Sequence, residues 1–184
     1  RAAMEQGPVL ARLHRQADLE RGGSLDHLVV APEWGHYLHR RLSVCDTYTC
    51  GALAEGYCDF VALHMAIRAG DDLAGAYAVG SYAARTSRED ATYFGLRRVP
   101  YSIDVGKNAL SFRHLVDDEP LPDTHPTRPG GKNSEVHAAG EVWATMLFES
   151  YAALRARPGL EPETARRRMA DILVAGGRES TLGE

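Results

Sequence analysis

The sequence predicts a mainly α-helical protein. Several stretches carry apolar residues at helical spacing, and no convincing run of alternating apolar and polar residues indicates a β-meander. Apolar residues make up 44% of the 184 residues, which is enough to form a sizeable core and argues against global disorder. We therefore expect one helical domain over residues 1–184.

The first predicted helix lies within residues 1–25. Pro8 suits a first-turn position, and Gly22-Gly23 ends the pattern. Its common apolar face is formed by Val9, Leu10, Leu13 and Ala17.

Two further helices are predicted within residues 26–70. Asp26 is a suitable N-cap for HLVVAPEWGHYLHRRL, and the next helix spans Gly51 to Ala69 and is closed by Gly70. Pro32 interrupts the first of these patterns because it lacks an amide donor and its ring clashes with the carbonyl of Leu28. We expect that helix to kink at Pro32 or to restart there. Trp34 is assigned to an apolar, core-facing helix stripe.

The rest of the chain divides into a loop-rich connection, residues 71–135, and C-terminal helices, residues 136–184. The connection contains a short helical segment at Ser111 to Leu115 and the surface loop DDEPLPDTHPTRPGGKN. A long helix is predicted from Val136 to about Arg157. A last one runs from Pro162 to Ala175 and is ended by Gly176-Gly177.

Charge and hydropathy exclude several classes of partner. The net charge of -4 gives no general attraction to nucleic acid or to an anionic membrane. No stretch approaches the ~20 apolar residues of a membrane span, and the first residues do not form a signal peptide.

Cys45 and Cys50 could close a small disulfide loop or remain free thiols, and Cys58 is expected to be a buried core residue.

Four side chains at helical spacing indicate a metal-dependent hydrolase. Glu33 and His36 share one helix face, and Glu55 and Asp59 share a face of the next helix. In zinc peptidases with this arrangement, two histidines and a glutamate hold the metal, and a second glutamate activates the bound water. A further carboxylate orients a ligand histidine. Glu33 is thus the candidate base, His36 and Glu55 are candidate ligands, and Asp59 is a candidate orienting carboxylate.

The stretches EWGHYLHRRL, CGALAEGYCDFVALHMAIRAGDDLAGAYAVG, YFGLRRVPYS and SEVHAAGEVWATMLFESY resemble fungalysin-type zinc metallopeptidases, in order and over about residues 28–157. That family belongs with the thermolysin-like gluzincins, so the resemblance implies their helical C-terminal lobe. It implies a zinc cofactor, a peptide or protein substrate, and secretion, which favours the Cys45–Cys50 disulfide. It also implies that His137 stabilises the oxyanion of the tetrahedral intermediate.

Two departures from the family pattern stand out. Pro32 occupies the first ligand position of H-E-x-x-H and offers no lone pair, which leaves two of the three protein ligands that a catalytic zinc needs. Replacement of the missing ligand by His27, His39 or another histidine is the less favoured alternative. Moreover, only about thirty residues precede the metal helix, and they are predicted to be helical, so the N-terminal β lobe is not expected in this chain.

We therefore expect a zinc-dependent endopeptidase of fungalysin type that is impaired or inactive as written. One alternative is a catalytically dead homologue that acts as a partner-binding subunit, with a second chain supplying the missing lobe. Another is that Pro32 is a recent or introduced change in an otherwise normal site.

Overall fold

The computed structural model describes residues 23–179, so the predicted helix at Pro8 to Gly22 lies outside the described residues. The described part is mainly helical, as predicted. Its helices are α1 (His27–Leu42), α2 (Tyr48–Ala66), α3 (Ser81–Ala84), α4 (Ala91–Phe94), α5 (Val136–Arg155) and α6 (Pro162–Glu179). Two 3-10 turns, Gly23–Leu25 and Phe112–Leu115, accompany them, and the only β pairing in this part is an isolated antiparallel bridge between Tyr77 and Tyr101.

Helix α1 begins where the sequence predicts, and Asp26 caps it. The Asp26 carboxylate accepts a hydrogen bond from the Leu28 amide at 2.9 Å and another from the Ala83 amide at 2.9 Å, so it also attaches the start of α1 to α3. The predicted restart at Pro32 is wrong, because Pro32 is buried in the interior of an unbroken helix. Trp34 is also not a core residue, since half of its surface is exposed.

Helix α2 is the central element of the core. It starts three residues before the predicted Gly51, because Thr47 caps it by accepting a hydrogen bond from the Cys50 amide at 3.1 Å. It ends at Ala66 instead of Ala69, because Ile67 is already extended. Every residue from Gly56 to His64 is buried, so this part of α2 is enclosed on all sides.

Helices α1 and α5 cover α2, and α6 closes the remaining side. Phe60 and Leu63 of α2 pack with Phe148 and Tyr151 of α5 and with Met169 of α6 in one buried cluster. Helix α5 ends at Arg155, two residues before the predicted end.

Helix α6 runs on to Glu179, so the predicted end at Gly176-Gly177 is wrong. A Cβ added to Gly177 would lie 3.1 Å from the Leu42 Cβ, so this glycine serves the close approach of α6 to the end of α1 instead of ending the helix.

The connection between α2 and α5 consists mostly of loops, as predicted, with a 3-10 turn in place of the short helix at Ser111 to Leu115. Arg98 fastens this connection to α5. Its buried guanidinium donates to Glu141, to the side chain of Asn133 and to the carbonyl of Ala138, at 2.6–2.8 Å. The first turns of α5 are therefore held firmly beside α2.

The cysteines take the predicted states. Cys45 and Cys50 form a disulfide that links the end of α1 to the first turn of α2, and Cys58 is a free, fully buried thiol. Burial raises the pKa of the Cys58 thiol, which keeps it protonated and unreactive.

Among the described helices, none is long and apolar enough to cross a membrane.

Candidate functional site

A close crossing of α1 and α2 forms one side of the candidate site. Gly35 allows this crossing, since a Cβ at that position would stand 3.0 Å from the Cys58 Cα. The crossing brings His36 and Glu55 together, with the His36 Nε2 3.6 Å from the Glu55 Oε1. Two of the predicted metal ligands therefore face each other across the helix pair.

The start of α5 supplies the third side chain of the site. Gly56 and Gly140 let α5 approach α2 with their backbones in contact, and this places His137 beside Glu55. The His137 Nε2 lies 3.4 Å from the Glu55 Oε2, and about half of the His137 side chain is exposed. Glu55 therefore stands between two imidazoles, with one on each carboxylate oxygen.

These side chains line a cleft of ≈ 200 Å³. Pro32 and Glu33 line it as well, so five of the six positions singled out from the sequence meet in one place. Its remaining wall is formed by Leu28, Val29, Val79, Leu96 and Arg97. Polar and charged side chains thus make up half of the lining, which is more polar than a typical small-molecule pocket.

Asp59, the sixth position, lies buried beside the cleft. Its carboxylate accepts two hydrogen bonds from the Arg97 guanidinium at 2.6 Å and one from the Tyr101 hydroxyl. Burial acts to lower the pKa of Arg97, but the ion pair with Asp59 outweighs it and holds that pKa well above its usual value. For Tyr101, burial raises the pKa, so the hydroxyl stays protonated and donates a hydrogen bond to Asp59. The orienting role of Asp59 toward a ligand histidine stays a prediction.

Glu135 and Arg97 are site residues that the sequence analysis missed. Glu135 caps α5 by accepting from the amides of His137 and Ala138, and its Oε1 lies 2.8 Å from the His137 Nδ1. Partial desolvation acts to raise the pKa of Glu135, but these hydrogen bonds outweigh it and lower that pKa. The ionised carboxylate therefore holds the imidazole with its Nε2 toward the cleft. An acidic residue directly before a predicted helix start is the available signal for such a cap.

The two histidines considered as replacement ligands do not line this cleft. His39 is buried beside Ser43 and the Tyr57 ring, and desolvation lowers its pKa, so it stays neutral. His27 is exposed at the start of α1. Neither residue is therefore positioned to complete the predicted set of ligands.

The side chains present do not fit the three-ligand zinc centre of a gluzincin. Such a centre takes three protein donors, and of the positions that would supply them only His36 and Glu55 carry a donor atom. Elsewhere in residues 23–179, no group of three or more His, Cys, Asp or Glu side chains is arranged to hold a metal ion.

Comparison with known protein families gives one match that covers most of the chain. The family model described as fungalysin metallopeptidase (M36) matches residues 6–179. The match includes the cleft, both helices that cross beneath it, and the start of α5.

Several curated fungal relatives are named extracellular metalloproteinases. The extracellular metalloproteinase mep of Aspergillus terreus is 30% identical over 136 residues, which is 70% of this chain and 18% of the relative. The extracellular metalloproteinase MEP of Neosartorya fischeri is 32% identical over 136 residues, again 70% of this chain and 18% of the relative. That of Pyricularia oryzae is 31% identical over 152 residues, 79% of this chain and 21% of the relative. The chain thus spans about a fifth of the length of these relatives.

Proposed function

Since this chain belongs to the fungalysin metallopeptidase family, M36, we propose that it carries the helical lobe of a zinc-dependent endopeptidase whose metal binding and hydrolysis are impaired as written. Pro32 is the cause of the impairment. The observation that carries the proposal is the position of Pro32, whose side chain lies in the cleft wall with Glu33, His36 and Glu55 and offers no donor atom.

The remaining side chains support a peptidase origin for the cleft. Glu33 is an exposed carboxylate beside His36, suited to accept a proton from an attacking water. His137 presents an imidazole nitrogen to the same cleft, suited to donate to the oxygen on which negative charge develops. Both groups are on helices that pack tightly on α2.

The loss of the metal explains why these groups do not suffice. Zinc lowers the pKa of a bound water from 15.7 to about 7, and without it the water keeps a pKa far above that of any carboxylate. Glu33 then removes a proton only rarely. We therefore expect peptide hydrolysis to be very weak or absent in this chain.

Secretion is part of the same proposal. The relatives are named extracellular, and the Cys45–Cys50 disulfide is of the kind that persists in an oxidising compartment.

A hydrolysis assay on two variants of residue 32 tests the proposal. Pro32→His restores a donor, whereas Pro32→Ala restores only the backbone amide and serves as the matched control. With zinc supplied, we expect Pro32→His to cleave a casein-type substrate and to lose that activity with a chelator. Equal activity of the unchanged chain, the control and Pro32→His would contradict the proposal.

A second function, a partner-binding subunit without catalysis, is favoured by the outer face of α1. Val30, Trp34 and Tyr37 lie at helical spacing and are 49%, 50% and 63% exposed. The partner on this account is a second chain that supplies the rest of a fungalysin. The test measures binding of a separately produced N-terminal part of a fungalysin to this chain. Binding that is lost in Trp34→Ala/Tyr37→Ala and kept in Pro32→Ala would support the partner-binding function. No binding by the unchanged chain would exclude it.

A further inference from the structure

We propose that a cavity where α1, α2, α5 and α6 meet binds a small, uncharged molecule with an apolar body and one oxygen that accepts a hydrogen bond from Tyr57. The cavity measures ≈ 480 Å³, whereas the candidate cleft measures ≈ 200 Å³, and no residue lines both. The inference therefore stands apart from the proposed function. Binding sites for small molecules commonly measure about 300–1,000 Å³, and this cavity lies within that range.

The wall of the cavity is mostly apolar. Helix α2 contributes Leu53, α5 contributes Trp143 and Leu147, and α6 contributes Ile172 and Leu173. Leu53 and Ile172 are exposed, so the cavity is open to solvent on their side. An apolar cavity of about 150 Å³ is enough to bind benzene. The wall described here can therefore hold at least one aromatic ring.

The charges around the cavity favour an uncharged ligand. Among the described residues that line it, Asp46 is the only charged side chain, and it is exposed. His39 also lines the cavity, but desolvation lowers its pKa and keeps it neutral. An anion would find no cation there, and a cation would gain little from one exposed carboxylate. Either would lose its hydration against an apolar wall.

Tyr57 supplies the polar group that orients the ligand. It lines the cavity, is 94% buried, and its hydroxyl makes no hydrogen bond within the described part of the chain. Ser43 and His39 of the same wall, by contrast, are in hydrogen-bond contact with each other. Buried hydroxyls are nearly always paired, because an unpaired one keeps the full cost of its desolvation. A ligand oxygen that accepts from Tyr57 removes this cost.

The protonation state of Tyr57 suits a donor. Burial raises the pKa of Tyr57 to about 12, so its hydroxyl keeps the proton at neutral pH. Since the hydroxyl is closed to solvent, a lining side chain must move slightly before a ligand oxygen reaches it. The ligand is therefore expected to combine an aromatic or aliphatic body with a hydroxyl or carbonyl oxygen.

Titrations of the full chain with phenol and with toluene test the inference, because toluene has a methyl group in place of the phenol hydroxyl. The amide resonances of Leu147 and Leu173 report binding in the cavity, and we expect both probes to shift them saturably. Tyr57→Phe should weaken phenol binding by about 2–10-fold, the net contribution of one hydrogen bond, and leave toluene binding unchanged. Tyr37→Phe is the matched control, because this exposed tyrosine does not line the cavity.

A blocking variant shows where the probes bind. Gly176 lines the cavity, and a Cβ there meets nothing within 4 Å, so Gly176→Leu has room for its side chain. It should weaken the binding of both probes. The absence of saturable shifts with either probe would overturn the inference. So would binding that neither Gly176→Leu nor Tyr57→Phe weakens.

Denaturation without any ligand tests the unpaired hydroxyl itself. Tyr57→Phe removes a buried hydroxyl that has no partner, so the denaturation midpoint should stay level or rise. Tyr101→Phe removes a hydroxyl that donates to Asp59, so its midpoint should fall. An equal fall in both variants would mean that the Tyr57 hydroxyl is already paired, and would contradict the inference. The zinc and hydrolysis tests of residue 32 do not depend on this cavity, so the proposed function would still stand.

Discussion

Gly56 of α2 and Gly140 of α5 meet with their backbones in contact. A Cβ on Gly56 would lie 2.3 Å from the Gly140 carbonyl oxygen, and one on Gly140 would lie 2.9 Å from the Glu55 Cβ. No side chain fits either position without moving the helices apart. The distance between Glu55 and His137 therefore depends on this pair of glycines.

Gly56→Ala is expected to destabilise the protein by about 1–3 kcal/mol or more, the usual cost of overpacking a core. Chemical denaturation measures it. Gly176→Ala is the control, because a Cβ there meets nothing within 4 Å, and it should instead stabilise α6 by roughly 0.5–1 kcal/mol. Destabilisation by both substitutions to the same extent would contradict the contact.

Removal of the Cys45–Cys50 disulfide should lower the free energy of unfolding by about 2 kcal/mol, because the bridge closes a short loop and limits the unfolded chain. Denaturant titrations of Cys45→Ser/Cys50→Ser and of the unchanged chain, each with and without a reductant, provide the measurement. The reductant should affect only the unchanged chain. An equal response in both proteins would mean that the bridge is not the cause.

Arg97 neutralises a carboxylate that is almost completely buried. Arg97→Met leaves the Asp59 charge without its partner, so we expect a loss of about 3–5 kcal/mol in the free energy of unfolding. Tyr101→Phe removes one hydrogen bond to the same carboxylate and should cost only about 1–3 kcal/mol. Addition of Asp59→Asn to Arg97→Met should recover part of the loss, whereas further destabilisation by Asp59→Asn would refute a charge effect.

His64 makes stability depend on pH. Desolvation lowers its pKa in the folded protein below the 6.5 of the unfolded chain, and its Nε2 bonds the Arg166 carbonyl at 3.1 Å. The unfolded chain therefore binds the proton first as pH falls. The stabilisation is complete above pH 6.5 and is lost as pH falls from 6.5 through the folded pKa. Thermal melts between pH 8 and 5 should show a smaller fall in His64→Gln than in the unchanged chain, and identical profiles would exclude His64 as the source.

Sequence patterns predicted the main helices because caps and apolar periodicity act locally. Asp26 was recognised as the cap of α1, and the apolar stripe located α5. Thr47 was missed because two cysteines and a turn-like DTYT segment conceal the cap, so α2 was predicted to begin too late. Gly177 was taken as a helix end because its contact with Leu42, which is distant in sequence, determines its role.

The candidate site was also predicted only in part, because sequence patterns reveal local spacing but not contacts between distant residues. Helical spacing indicated Glu33, His36 and Glu55, and the resemblance to fungalysin-type peptidases indicated His137. The structure brings all four to one cleft. Arg97 was missed because its partner Asp59 is 38 residues away and nothing in the local sequence indicates their ion pair. Pro32 was expected to kink α1 or to restart it. The helix does not restart there, and the effect that we propose for Pro32 is chemical.

The zinc content of the protein tests the central claim most directly. Unchanged chain, Pro32→Ala and Pro32→His are loaded with zinc, dialysed against metal-free buffer and analysed for metal per chain. We expect about one zinc per chain in Pro32→His alone, because three protein ligands retain the ion and two do not. One retained zinc per chain in the unchanged protein, removable by a chelator, would contradict the claim that residue 32 decides metal binding.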